Sequence, residues 1–167
     1  MRDDTAEISL IGDRAENQDR VAVVRRENGV FLVVVDGMGG HADGRRAAEV
    51  ASDSLAETFA NAPRQIDRPA EFLTQAVLRA HTAVVDIGDG LVIEEKPRAT
   101  CAACLILQDQ AWWAHVGDAR VYLLRGGEVM TRTRDHSHVE VLLRDGVITE
   151  DEVAGHPMRH YVESCLG

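Results

Sequence analysis

The spacing of apolar positions changes several times along the chain, and each change marks a different kind of element. Val21 to Arg25 and Val30 to Val35 are short runs rich in β-branched residues with the turn signal Asn28-Gly29 between them, which predicts a hairpin. A shorter run, Ile8 to Gly12, predicts one more strand ahead of them, separated by the polar segment Asp13 to Arg20. From Gly44 the spacing becomes helical: Ala47, Val50, Ala51, Leu55 and Phe59 recur at threes and fours until Pro63. A second helix is predicted from about Pro69 to Ile87, with Phe72, Ala76, Val77, Ala80 and Val84 on one face and Gly88 and Gly90 closing it.

Thr100 to Leu107, Ala111 to Val116 and Arg120 to Leu124 return to strand character, and Gly126-Gly127 turns the last of these into Glu128 to Thr131. Two short helices follow, Ser137 to Arg144 and Thr149 to Ala154. Each has a capping signal at its start, Ser137 before Glu140 and Thr149 before Glu152. No repeat or linker divides the chain, so residues 1–167 are read as a single domain. Strands, helices and strands again predict the α+β class, with helices covering antiparallel sheet.

Composition narrows the function classes. The 167 residues are 45% hydrophobic, enough for a packed core, and carry 28 acidic against 18 basic side chains for a net charge of −10. That excess argues against a nucleic-acid partner, whose phosphates are held by Lys and Arg. Val30 to Val35 and Cys101 to Leu107 are the longest apolar runs, far below the roughly 18 to 20 residues of a membrane helix. Asp3, Asp4 and Glu7 stand where a signal peptide would need a basic start, so no membrane partner and a cytoplasmic location are expected. Three cysteines would leave one unpaired in any disulfide scheme. Cys101 and Cys104 have CxxC spacing, but on a strand positions three apart point to opposite faces, so they are read as core residues.

The candidate chemistry lies at strand ends. The run Val30 to Val35 leads straight into Asp36-Gly-Met-Gly-Gly-His41, where glycines allow the backbone to approach a ligand closely. Taken alone, this is equally an aspartate in a glycine-rich turn. The dinucleotide fingerprint GxGxxG fails at Ala42, and no GxxxxGK[ST] loop occurs. A second apolar run delivers Asp118 at a glycine turn, while Asp13 and Asp19 bracket Arg14. Strand-end carboxylates brought together in so acidic a chain repel one another unless a cation intervenes. An oxygen-rich ligand set suits Mg²⁺ or Mn²⁺ better than Zn²⁺.

Five segments together carry a resemblance: Arg14-Ala-Glu-Asn-Gln-Asp19, Asp36-Gly-Met-Gly-Gly-His-Ala-Asp-Gly44, Arg98-Ala-Thr100, His115-Val-Gly-Asp-Ala-Arg-Val-Tyr122 and Arg134-Asp-His-Ser137. In order and spacing they resemble the bacterial metal-dependent protein phosphatases of the 2C type, from about residue 8 to the last residue. The resemblance implies an αββα sandwich of two antiparallel sheets flanked by helices, and a centre of two or more Mn²⁺ or Mg²⁺ ions that activates water against phosphoserine or phosphothreonine. By position, Asp36 matches the carboxylate bridging two metals and Gly37 supplies a carbonyl ligand. Asp19 holds a metal or its waters, and Asp118 matches the acid of a third, weaker site. Arg14 matches the arginine that grips the substrate phosphate, and His41 is a candidate general acid. The implied partner is a phosphorylated protein, the substrate of a serine/threonine kinase.

Residues 137–160 match the family's substrate-side flap. The pairs His136/His138 and His156/His160 fall in or beside it and are read as supports rather than ligands, with Pro157 opposing a helix through the second pair. His115 and Trp112-Trp113 are read as packing residues. Against the family pattern, the sequence lacks the later strand ending in Ser-Asp-Gly and the Asp-Asn motif that complete the metal centre, which makes the sandwich incomplete at its C-terminal end. Two alternatives to a working phosphatase follow: a weak or inactive phosphoprotein-binding or regulatory module, and a fragment of a longer enzyme. Missing strands also predict exposed edges that another copy would cover in a homo-oligomer.

Overall fold

In a computed structural model describing residues 4–38 and 43–167, β1 (Asp19–Arg26) and β2 (Gly29–Met38) form the expected hairpin. Its register pairs Arg26 with Gly29, so Glu27 and Asn28 make the turn and Gly29 already belongs to β2. Glycine is needed there for closeness rather than for a left-handed φ: a Cβ would stand 2.6 Å from the carbonyl oxygen of Ile106. β3 (Arg98–Leu107) pairs with β2, and β4 (Gln110–Val116) with β3, giving an antiparallel sheet ordered β1-β2-β3-β4.

Period-two alternation sorts the sheet's two faces. Phe31, Val33 and Val35 of β2 and Cys101, Ala103 and Leu105 of β3 are buried. They pack beneath α1 (Gly44–Ala60) and α2 (Pro69–Ile87), which contribute Ala47, Ala48, Ala51, Leu55, Phe59, Leu73, Ala76, Ala80 and Val84. The alanines let the helices lie close to the sheet, and Phe31, Phe59 and Phe72 fill the far end, with Phe31 and Phe59 ring centroids 5.4 Å apart. Both helices lie where the sequence spacing puts them, with Pro69 in the first turn of α2 and Gly88 capping its end.

The other face of the sheet is uncovered. Val34 is 46% exposed and Trp113 38%, and Val21, Val23, Leu32 and Cys104 beside them are only half-buried. The second antiparallel sheet is the hairpin of β5 (Tyr122–Arg125) and β6 (Glu128–Arg132), which among the described residues packs on no other helix or strand. The two sheets and the α+β class agree with the sequence reading. The strand predicted over Ile8 to Gly12 is absent: those residues are exposed and pair with no strand, and Gly12, with φ +58°, already begins a turn. The short helices α3 (His138–Arg144) and α4 (Glu150–Val153) begin at their expected caps, Ser137 Oγ accepting from the Glu140 N–H and Thr149 completing a capping box with Glu152. The final residues return to the main core. Leu166 exchanges backbone hydrogen bonds with Ala99 at 2.7 and 3.0 Å and is itself buried.

Candidate metal centre

Register brings the sequence-predicted aspartates together. Asp19 opens β1 and is the direct cross-strand partner of Asp36, which in turn is opposite Thr100 on β3. Cross-strand partners leave a sheet on the same face. Asp19, Asp36 and Thr100 therefore form a row across the uncovered face, at the end where β4 runs out into Gly117 and Asp118.

The electrostatics record that convergence. The Asp36 carboxyl is pushed up from 3.8 to about 6. Burial is the largest cause, followed by the charge of Asp19, a hydrogen bond that protonated Asp36 donates to Asp19, and the charge of Asp118. Arg14 acts in the opposite direction, and so lies within electrostatic reach. The residue as a whole keeps contact with solvent, so the burial lies in the protein mass around its carboxyl rather than in a sealed cavity. Asp36 thus holds its proton to a higher pH than a free carboxyl does.

Backbone geometry holds the row in place. Gly37 donates its N–H to the Gln18 carbonyl at 3.1 Å and lies against Gly44 at the start of α1. A Cβ on Gly37 would overlap the Gly44 carbonyl oxygen, and a Cβ on Gly44 would stand 3.0 Å from the Gly37 carbonyl oxygen. Only glycine at both positions lets strand and helix meet there. The Asp19 N–H is held by Asn17 Oδ1 at 2.9 Å, and Arg20 donates to the carbonyls of Asp19 and Asn17 at 2.7 and 3.1 Å. Arg20 also reaches Glu49 on α1 at 2.5 Å. Arg45 joins Glu49 to Glu16 at 3.1 and 2.8 Å, tying the segment that carries Arg14 and Asp19 to α1.

Asp118 is held from the other side. The His136 N–H donates to the Gly117 carbonyl at 2.8 Å, and His136 Nδ1 accepts the Gly117 N–H at 3.3 Å. Burial and the neighbouring His115 keep His136 below its ordinary pKa, in the neutral form that can accept. The two rings are 4.4 Å apart, and His115 is further fixed by the Arg134 carbonyl at 2.6 Å. Arg120 forks onto Asp135 with hydrogen bonds of 2.6 and 2.5 Å. His115 is the packing residue expected of it. Trp112 packs against the core, whereas Trp113 lies on the open face.

Cys101 and Cys104 are free thiols, Cys101 buried on the helix side and Cys104 half-buried, as opposite-face strand residues must be. His156 and His160 lie in a turn, not on one helical face, and His156 accepts from the Met158 N–H. His41 lies outside the described residues. Thr100, Gly44 and His136 belong to segments that carry the resemblance, but their sequence positions alone gave no reason to assign them to the site. Register and turn geometry reveal them.

The sequence between residues 9 and 142 matches the family model for protein phosphatase 2C. The chain belongs to the protein phosphatase 2C family. It is 33% identical over 172 aligned residues to protein phosphatase PhpP of Streptococcus pneumoniae, covering 96% of this chain and 68% of that protein. It is 31% identical to serine/threonine phosphatase stp of Listeria monocytogenes, covering 92% of this chain and 62% of that one. Its fold superposes on the Streptococcus agalactiae serine/threonine phosphatase with a TM-score of 0.83 at 27% identity, over 96% of this chain and 66% of that one. The catalytic domain of PstP, solved in complex with 2 manganese ions, matches with a TM-score of 0.73 at 30% identity, over 92% of this chain and 61% of that one. The chain thus spans 61% to 68% of the length of these four proteins.

Family membership implies divalent metal, and the residues present fit one. All donors in the row are oxygens, the charges of Asp19 and Asp118 bear on Asp36 in a way a cation would relieve, and the buried Thr100 hydroxyl beside them has no hydrogen-bond partner. Among the described residues, no group of three or more His, Cys, Asp or Glu side chains is gathered closely enough to enclose an ion.

Proposed function

We propose that this chain is a phosphatase domain acting on phosphoserine and phosphothreonine in proteins, with Mn²⁺ or Mg²⁺ held by Asp36, Asp19 and the Gly37 carbonyl, and with Asp118 serving a weaker site. The single observation that carries this reading is the convergence of Asp19, Asp36 and Asp118, whose charges add to burial in raising the Asp36 carboxyl to about 6 beside Arg14. A bound divalent pair would supply an acidified water and offset charge on phosphoryl oxygens. The chain's own residues do the rest. Arg14, exposed beside the row, presents a planar fork that binds two phosphate oxygens and orients the ester toward the aspartates. Asp36 and Asp19, held by β-register, fix the donor spacing before substrate arrives. His41 is the proposed proton donor to the leaving seryl or threonyl oxygen.

Hydrolysis of p-nitrophenyl phosphate and of a phosphothreonine peptide, titrated with MnCl₂, tests the reading. Turnover should require metal and vanish in Asp36→Asn. Arg14→Lys should raise KM about tenfold, since the point charge of lysine cannot reproduce the bidentate contact. No turnover at millimolar Mn²⁺ would overturn it.

A second reading, a phosphoprotein-binding or regulatory module with little or no turnover, is supported by the solvent exposure of Asp36 and Asp118. Retained phosphopeptide binding without turnover would select it. In either case the expected partner is a protein phosphorylated by a serine/threonine kinase and the expected location cytoplasmic. No helix among the described residues is long and apolar enough to cross a membrane. The uncovered face of the four-stranded sheet, with Val34 and Trp113 exposed, supports self-association through a second copy.

A further inference from the structure

Thr100 is completely buried, yet its hydroxyl is the one buried side-chain polar atom without a hydrogen-bond partner among the described residues. Native proteins rarely leave such a group unpaired. Nothing in its strand calls for polarity: from Ala99 to Leu107 every other residue of β3 is Ala, Cys, Leu or Ile. A valine would fill the same volume at no desolvation cost, so packing alone favours valine.

Its surroundings say where the hydroxyl is wanted. Thr100 is the cross-strand partner of Asp36 and shares its face of the sheet. Its methyl group packs against Gly117, where an added Cβ would overlap Thr100 Cγ2, and Gly117 leads directly into Asp118. The side chain therefore lies between the two places where the aspartates leave the sheet, with its apolar branch already occupied.

We propose that Thr100 is a positioning residue of the aspartate site, its hydroxyl finding a hydrogen-bond partner in the Asp36 carboxylate or a water beside it when a divalent cation is bound. This rests on the reading of the aspartates as a cation site. Carboxylates that hold a metal are themselves hydrogen-bonded, and loss of such an outer contact costs about 10–100-fold in metal affinity. In the cation-free chain the same hydroxyl is a liability, because an unpaired buried polar group destabilises the fold.

Two opposite effects of one substitution follow. In Thr100→Val, the melting temperature measured in EDTA should rise by roughly 2–4 °C. The dissociation constant for MnCl₂, measured by titration calorimetry, should weaken about tenfold or more. Thr100→Ser, which keeps the hydroxyl, should bind Mn²⁺ within about threefold of the parent, whatever it loses in packing. If Thr100→Val binds Mn²⁺ as tightly as the parent, the inference fails while the cation site stands. If Thr100→Ser is weakened as much as Thr100→Val, the methyl rather than the hydroxyl is responsible and the inference fails as well. If the parent binds no Mn²⁺ at all, the cation-site reading fails first and takes this one with it.

Discussion

Replacing Asp36 by asparagine tests the central electrostatic claim without any assay of turnover. In the folded chain the Asp36 carboxyl titrates near 6 rather than at the ordinary 3.8. Between roughly pH 4 and pH 6 the folded chain therefore keeps a proton that the unfolded chain has released. Stability from this group is full below that window, falls as pH rises through it, and stays reduced above it. At about 1.36 kcal/mol per pH unit, a rise from 3.8 to about 6 corresponds to about 3 kcal/mol. Because the residue keeps solvent contact, screening reduces this to about 1–1.5 kcal/mol.

Asparagine keeps the shape and removes the repulsion. In EDTA at pH 7.5, Asp36→Asn should melt roughly 2–6 °C above the parent, measured by calorimetry or tryptophan fluorescence. At pH 4, where the parent carboxyl is already protonated, the two proteins should melt together. The same variant should no longer bind MnCl₂. An equal gain at both pH values would assign the effect to packing, and a lower melting temperature at pH 7.5 would refute the claim that the aspartates repel.

Gly117→Ala should cost about 2–4 kcal/mol in chemical denaturation, because φ there is +90° and the new methyl would collide with Thr100. If the sheet's bare face is buried by a second copy, light scattering should report a dimer whose dissociation follows Val34→Lys. A monomer at high concentration would count against it.

Local chemistry made most of the elements legible. The three-and-four spacing of Ala47, Ala51, Leu55 and Phe59, the proline at the start of α2 and the caps at Ser137 and Thr149 act within a few residues of where they are written. The motifs around Asp19, Asp36 and Asp118 likewise named the acidic side chains that converge. The failures have the opposite cause. Ile8 to Gly12 has strand composition, but a strand exists only where a neighbour pairs with it, and none does here. Gly29 looked like a turn residue and is instead required by the approach of Ile106 on another strand.

What the sequence determined by itself was which residues form helices, which alternate, and which carboxylates end the strands, because periodicity, capping and turn chemistry are short-range. What only the tertiary structure decided was the register that sets Asp19 opposite Asp36 across the hairpin and the pairing of Asp36 with Thr100, since β3 joins β2 only after α1 and α2 have intervened in the chain. The assembled sheet raises the Asp36 carboxyl, first by burial and then by the charge of Asp19, buries a hydroxyl without a partner and leaves the face opposite the helices bare. These properties belong to the assembled sheet, because each requires two segments to share a space that neither one specifies alone.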